Sequence, residues 1–229
     1  MTRVKSVCMV ASLLLGAASG LCRAAPVLDQ NNTLATGVVG GNSGVGLGVF
    51  AQTLVVGLSG TFSAFDAYLW NPNVGRGTVT ATILRVDASG APSTLPGDVL
   101  GTATVSYSSI PRYPNICCIL PDLPYTEFDF SSDGISVTAG EELAVQLTAP
   151  PAFVIWGSDA TADYPAGSAY YFGAGRWQLL AFGNTDFGFR TYVEPAVAIP
   201  EPSGLFEGAA PAVLWAGIVL RNVRRRRAP

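Results

Sequence analysis

The chain of 229 residues contains no histidine. This excludes Ser-His-Asp and Cys-His nucleophile systems and any His-ligated metal centre. It also removes the commonest general base near neutral pH. Cys8 and Cys22 fall in the first 25 residues, so the adjacent Cys117 and Cys118 are the cysteines of the central chain. Sequence neighbours close only a strained small ring. The pair therefore reads as loop thiols, with an intermolecular crosslink or a redox-sensitive vicinal bond as alternatives. Two thiols alone do not complete a metal site.

Carboxylates are the next candidates. Glu127, Glu141, Glu142 and Glu194 are available as the acid–base pair of a glycosidase, but that chemistry needs two carboxyls ~5–10 Å apart. Nothing in their spacing pairs any two, and the expectation is a non-enzyme. Acidic loops offer oxygen ligands to a structural Ca²⁺, although no EF-hand spacing occurs; no other metal or cofactor is expected.

Aromatics carry a different chemistry. Trp156, Tyr164, Tyr170, Tyr171, Phe172 and Trp177 fall within 22 residues. Exposed on a sheet, Trp156, Tyr171 and Trp177 would stack on sugar rings, with Asp159, Asp163 or Asn184 donating or accepting hydrogen bonds. The competing assignment is core filling. Alternation sends Tyr170 and Tyr171 to opposite faces, so one of them points outward. Thr78, Thr80 and Thr82 share one strand face, with Thr102 and Thr104 as potential partners, and ordinary β-preference explains such a row.

The elements that must position these groups are strands. Apolar and polar residues alternate over 77–86, 142–148, 127–130 and 187–192, the pattern of half-buried antiparallel strands. Further strands are expected over 49–56, 61–70, 99–107, 152–156, 169–172 and 177–182. Between them lie turn sequences such as Asp87–Ala88–Ser89–Gly90 and Ser132–Asp133–Gly134, rich in residues that suit turns. The reading is all-β, an antiparallel β-sandwich or jelly roll. Residues 29–48 read as an extended lead-in with an edge strand, and 110–123 as a proline-bearing loop.

Both termini read as addresses. Arg3 and Lys5 precede an apolar run over 7–18, and small residues follow at Ala24 and Ala25. That order defines a secretory signal helix over 1–25, cleaved after one of those alanines by signal peptidase at the Sec translocon. At the far end, Pro200–Glu201–Pro202 is a stiff segment that refuses helix. Residues 204–220 are mostly apolar and as a transmembrane helix span about 25 Å. Arg221 and Arg224, Arg225, Arg226 and Arg227 follow, a cytoplasmic basic anchor under the positive-inside rule. Glu207 and Pro211 interrupt the apolar stretch, where a carboxylate is costly and proline kinks a helix.

This order of parts resembles the PEP-CTERM sorting signal of Gram-negative bacteria, also catalogued as an ice-binding protein C-terminal domain. The resemblance covers about 30 residues, carried by Pro200, Glu201, Pro202, Ser203 and the terminal arginines. It implies processing by an exosortase near the motif, passage through the inner membrane, and delivery to the cell surface or extracellular matrix of a biofilm. The core is also similar to a loose group of bacterial extracellular β-sandwich domains, through Ala51–Gln52–Thr53, Gly57–Leu58–Ser59–Gly60 and Phe187–Gly188–Phe189–Arg190. That group implies no common activity.

The expected organisation is a signal peptide over 1–25, a β-sandwich domain over 26–194 and a sorting signal over 195–229. Between residues 25 and 199 stand five arginines and 14 carboxylates, a balance of −9 against −3 for the whole chain. Such a domain repels nucleic acid and anionic surfaces. The expected function is a surface or matrix protein, structural or adhesive. The alternatives are a carbohydrate-binding module or carboxylate glycosidase on exopolysaccharide, and a tail-anchored periplasmic protein.

Overall fold

The computed structural model describes residues 24–33, 41–45, 48–72, 76–113, 124–149, 154–159, 164–180 and 186–196. Cys117 and Cys118, the motif Pro200–Glu201–Pro202, the apolar span 204–220 and the terminal arginines lie outside these residues, as does the signal segment before Ala24. Among the described residues no helix is long and apolar enough to cross a membrane. Helix is limited there to two 3-10 turns, Pro96–Asp98 and Tyr107–Ser109.

Strands numbered in chain order build three antiparallel sheets. A five-stranded sheet runs β1 (Val27–Asn32), β15 (Phe189–Pro195), β4 (Gly60–Ala67) and β8 (Thr126–Asp129), with β9 (Ile135–Val137) also on β4. A six-stranded sheet runs β13 (Arg176–Leu179), β12 (Ala169–Gly173), β3 (Val49–Val55), β10 (Glu142–Thr148), β6 (Thr78–Arg85) and β7 (Val99–Ser106). A smaller sheet joins β14 (Asp186–Phe187), β11 (Val154–Asp159) and β2 (Gly41–Val45), with β5 (Leu69–Trp70) on β11. The all-β, sandwich-like architecture expected from alternation is present.

The alternation explains which faces are buried. In β6, Val79, Ala81 and Ile83 are fully buried while Thr80 and Thr82 lie half-buried on the other face. Across the core, Phe62, Phe65, Phe128 and Phe189 come from the five-stranded sheet, and Leu54, Leu143, Val145 and Leu147 from the six-stranded one. The small sheet adds Trp156 and Phe187. Each such side chain contributes about 1.5–3 kcal/mol through burial, and edge-on pairs such as Phe62–Phe130, 5.8 Å apart, add specific packing.

Three expectations are corrected. The segment 61–70 is two strands, because β4 stops at Ala67 and Leu69–Trp70 pairs with β11 instead. The strand expected over 177–182 is Arg176–Leu179. The 29–48 lead-in holds two strands: β1 covers one edge of the five-stranded sheet and β2 pairs with β11.

Candidate functional site

The outer face of the six-stranded sheet is where threonine, glutamine and aromatic side chains converge. Cross-strand pairing sets their rows. Gln146 lies opposite Thr82, and Thr82 opposite Thr102. One step along, Thr148 lies opposite Thr80, and Thr80 opposite Thr104. Residues directly opposite share a face, so hydroxyl and amide groups repeat at the strand spacing of ~4.8 Å. The threonine row anticipated from sequence thus has a partner on each side.

At the other end, Phe172 lies opposite Trp177 and Val49. The two rings meet edge-to-face, with centroids 5.2 Å apart and planes at 71°. Phe172 is 37% exposed. The indole N–H of Trp177 is shielded from solvent and has no hydrogen-bond partner among the described residues.

A loop closes one wall of a groove of about 470 Å³ between these two ends. Ser93 anchors that loop. Its N–H donates to the Arg85 carbonyl at 2.9 Å. Its hydroxyl donates to Asp98 and accepts from the Leu95 N–H. The turn Pro96–Asp98 follows, and Leu95 and Val99 line the groove together with Leu84, which is buried. The volume falls in the ~300–1,000 Å³ range of small-ligand sites. Among the described residues its lining contains no ionisable side chain.

The opposite outer face is charged. On the five-stranded sheet, Asp66 lies opposite both Arg190 and Glu127. The Arg190 guanidinium sits 4.1 Å over the Tyr125 ring, a cation–π contact. The Tyr192 hydroxyl donates to Asp66 at 3.1 Å. Burial pushes the Asp66 carboxyl up, against the opposing pull of the Tyr192 hydroxyl and Arg190.

The expected sugar contacts separate. Trp156 is not an exposed platform. It is wholly buried, stacks on Phe187 with centroids 4.2 Å apart, and donates its indole N–H to the Gly188 carbonyl at 3.1 Å. Tyr171 lies opposite Phe50 and Gln178, on the other face of β12 from Phe172. Its hydroxyl donates to Gln178 at 2.8 Å. Trp177 alone of the three lines the groove. Asp163 and Asn184 lie outside the described residues.

The glutamates are divided between the two large sheets. Glu127 is exposed on the five-stranded sheet, while Glu142 is exposed on the six-stranded one. Glu141 accepts from the Thr138 N–H at 3.0 Å and pairs with Arg85 at 3.5 Å. Glu194 lies opposite Thr61 in β4. Among the described residues no three His, Cys, Asp or Glu side chains gather to hold a metal ion.

Sequence reasoning missed the Gln52–Asp186 pair. Gln52 donates to Asp186 at 2.8 Å and accepts from the Phe187 N–H at 2.9 Å. Asp186 also accepts from the Tyr164 N–H at 3.0 Å. Both side chains are buried, so they tie the small sheet to the large one. Gln52 stands in the Ala51–Gln52–Thr53 stretch, which marked only a strand, and nothing in the sequence paired it with Asp186. No protein-family model matches the chain, and no curated protein matches it.

Proposed function

We propose that the protein is exported and delivered to the cell surface or extracellular matrix by exosortase-type processing, where its β-sandwich domain acts as a non-catalytic adhesive or structural module. The carrying observation is the order of C-terminal parts. Pro200–Glu201–Pro202, the apolar span 204–220 and the arginines at 221 and 224–227 follow directly on a domain whose last strand ends at Pro195. At the other end, β1 begins at Val27, two residues beyond Ala25. Cleavage at either alanine leaves the strand intact.

The sorting motif is recognised outside the membrane, the span halts translocation, and the arginines hold the tail on the cytoplasmic side. The groove on the six-stranded sheet, lined by threonine, glutamine and aromatic side chains with no carboxylate among them, supports a binding role there. Intact-mass analysis of membrane, surface and medium fractions from native cells tests the reading. The expected product lacks about residues 1–25 and everything beyond the 200–202 region. A chain ending at Pro229 in the membrane fraction would overturn the sorting role and leave a tail-anchored periplasmic protein.

A further inference from the structure

We propose that the groove on the outer face of the six-stranded sheet binds an extended, neutral polysaccharide chain. The proposal deepens the adhesive reading above by naming its ligand, and it rests on that reading only for its biological setting. A sugar ring has an apolar C–H face and a rim of hydroxyls. Binding it takes a flat aromatic surface beside short polar side chains that both donate and accept. Trp177 and Phe172 supply the first at one end of the groove. Gln146, Thr82 and Thr102 supply the second, on three adjacent strands.

The spacing favours a chain over a single sugar. The polar groups recur every ~4.8 Å across the strands, close to the length of one residue in an extended glycan. Beyond the groove the row Thr148, Thr80 and Thr104 continues the same chemistry.

Charge selects the class of glycan. No ionisable side chain lines the groove, so there is no cation to pair with a uronate, sulfate or phosphate. The domain around it carries 14 carboxylates against five arginines, which disfavours any polyanion. Charged chemistry sits instead on the opposite face, where Arg190 is already engaged by Tyr125 and Asp66.

Affinity electrophoresis of the purified full-length chain in mild non-ionic detergent tests this, in gels containing cellulose derivatives, starch, a β-1,3-glucan, galactomannan or alginate. The expected result is retardation by at least one neutral polysaccharide and none by alginate. Trp177→Ala and Gln146→Ala are each expected to weaken that retardation about tenfold, equivalent to ~1.4 kcal/mol, without changing the melting temperature. Gln146→Ala removes only a side chain on the outer sheet face, so it remains informative if Trp177→Ala loosens β13. Three outcomes would overturn the proposal: no retardation by any neutral polymer, stronger retardation by alginate, or retardation unchanged in both variants. Because the assay uses purified chain, its failure leaves the sorting reading standing, and a sorting failure leaves the groove standing.

Discussion

Tyr164 links the first strand to the core through one hydroxyl. The residue is buried, its ring meets Phe189 edge-on at 5.1 Å, and its hydroxyl donates to Gln30 of β1 at 2.9 Å. Burial pushes the phenol up to about 12. The folded chain therefore keeps this proton where the unfolded chain, with an ordinary phenol near ~10, has lost it. Stability falls wherever the folded state binds more protons, so it declines as pH rises from about 10 to about 12. Burial also raises Tyr125, Tyr170 and Tyr192, and these add to the slope. Thermal melts across that range should show a shallower alkaline decline for Tyr164→Phe than for the parent. At neutral pH the variant should lose only about 1 kcal/mol, the worth of the hydrogen bond. Equal alkaline slopes in both proteins would refute the assignment. The two tryptophans of the aromatic cluster show what was legible at this scale. Trp156 follows Val154 and Ile155, all three fully buried, and such a continuous apolar run marks a strand covered on both faces. Trp177 stands between Arg176 and Gln178, the alternation of a strand with one open face. Grouping them by spacing along the chain hid that difference.

Elements were legible where two-residue alternation was intact and obscure where pairing broke it. Strand β10 lies where its alternation places it, Glu142–Thr148. Strand β4 places both Phe62 and Phe65 in the core although they are an odd number of residues apart. Ser63 is passed over in the pairing with β15, where Phe62 lies opposite Val193 and Ala64 opposite Tyr192. That bulge resets the alternation. Strand β2, Gly-Asn-Ser-Gly-Val, has no apolar pattern and exists through its pairing with β11. Strand β9 has only three residues, too few for periodicity to register. Pairing also dictates Gly167, which precedes β12 beside β3. A Cβ there would run into the Thr53 backbone carbonyl. The backbone cannot retreat freely, because Thr53 N–H donates to the Ser168 carbonyl at 2.9 Å and Ser168 N–H to the Thr53 hydroxyl at 2.9 Å. Gly167→Ala should therefore cost about 1–3 kcal/mol, the range for overpacking. Gly97→Ala, with open space around its Cβ, should stay within about 0.5 kcal/mol. Urea denaturation of the two variants compares them directly, and equal midpoints would show that the approach at Gly167 is not tight.

At the scale of the molecule, charge is distributed by destination. The ends hold eight of the 13 basic residues, while residues 25–199 hold 14 of the 16 carboxylates. The full chain is thus nearly balanced at −3, and a chain trimmed at both ends stands near −9. Like charges on a compact body repel, and some are placed directly opposite each other, as Asp66 and Glu127 are across β4 and β8. Arg190 offsets Asp66 from the other side, and Arg85 pairs with Glu141 at 3.5 Å. With five arginines against 14 carboxylates between residues 25 and 199, most of that negative charge has no cation to offset it. Salt screens such repulsion, shortening its reach from ~30 Å at 0.01 M to ~8 Å at 0.15 M. The processed protein recovered from the medium should accordingly melt a few degrees higher at the larger ionic strength, since about 1 kcal/mol moves the midpoint by ~2–4 °C in a domain of this size. Glu127→Gln should capture part of that gain at low salt and little of it at high salt, because it removes one member of a facing like-charged pair. A midpoint that is flat or falls with salt, or a Glu127→Gln gain of equal size at both, would mean that the surplus carboxylates do not strain the fold, and that the acidity serves only to keep the delivered domain apart from other polyanions.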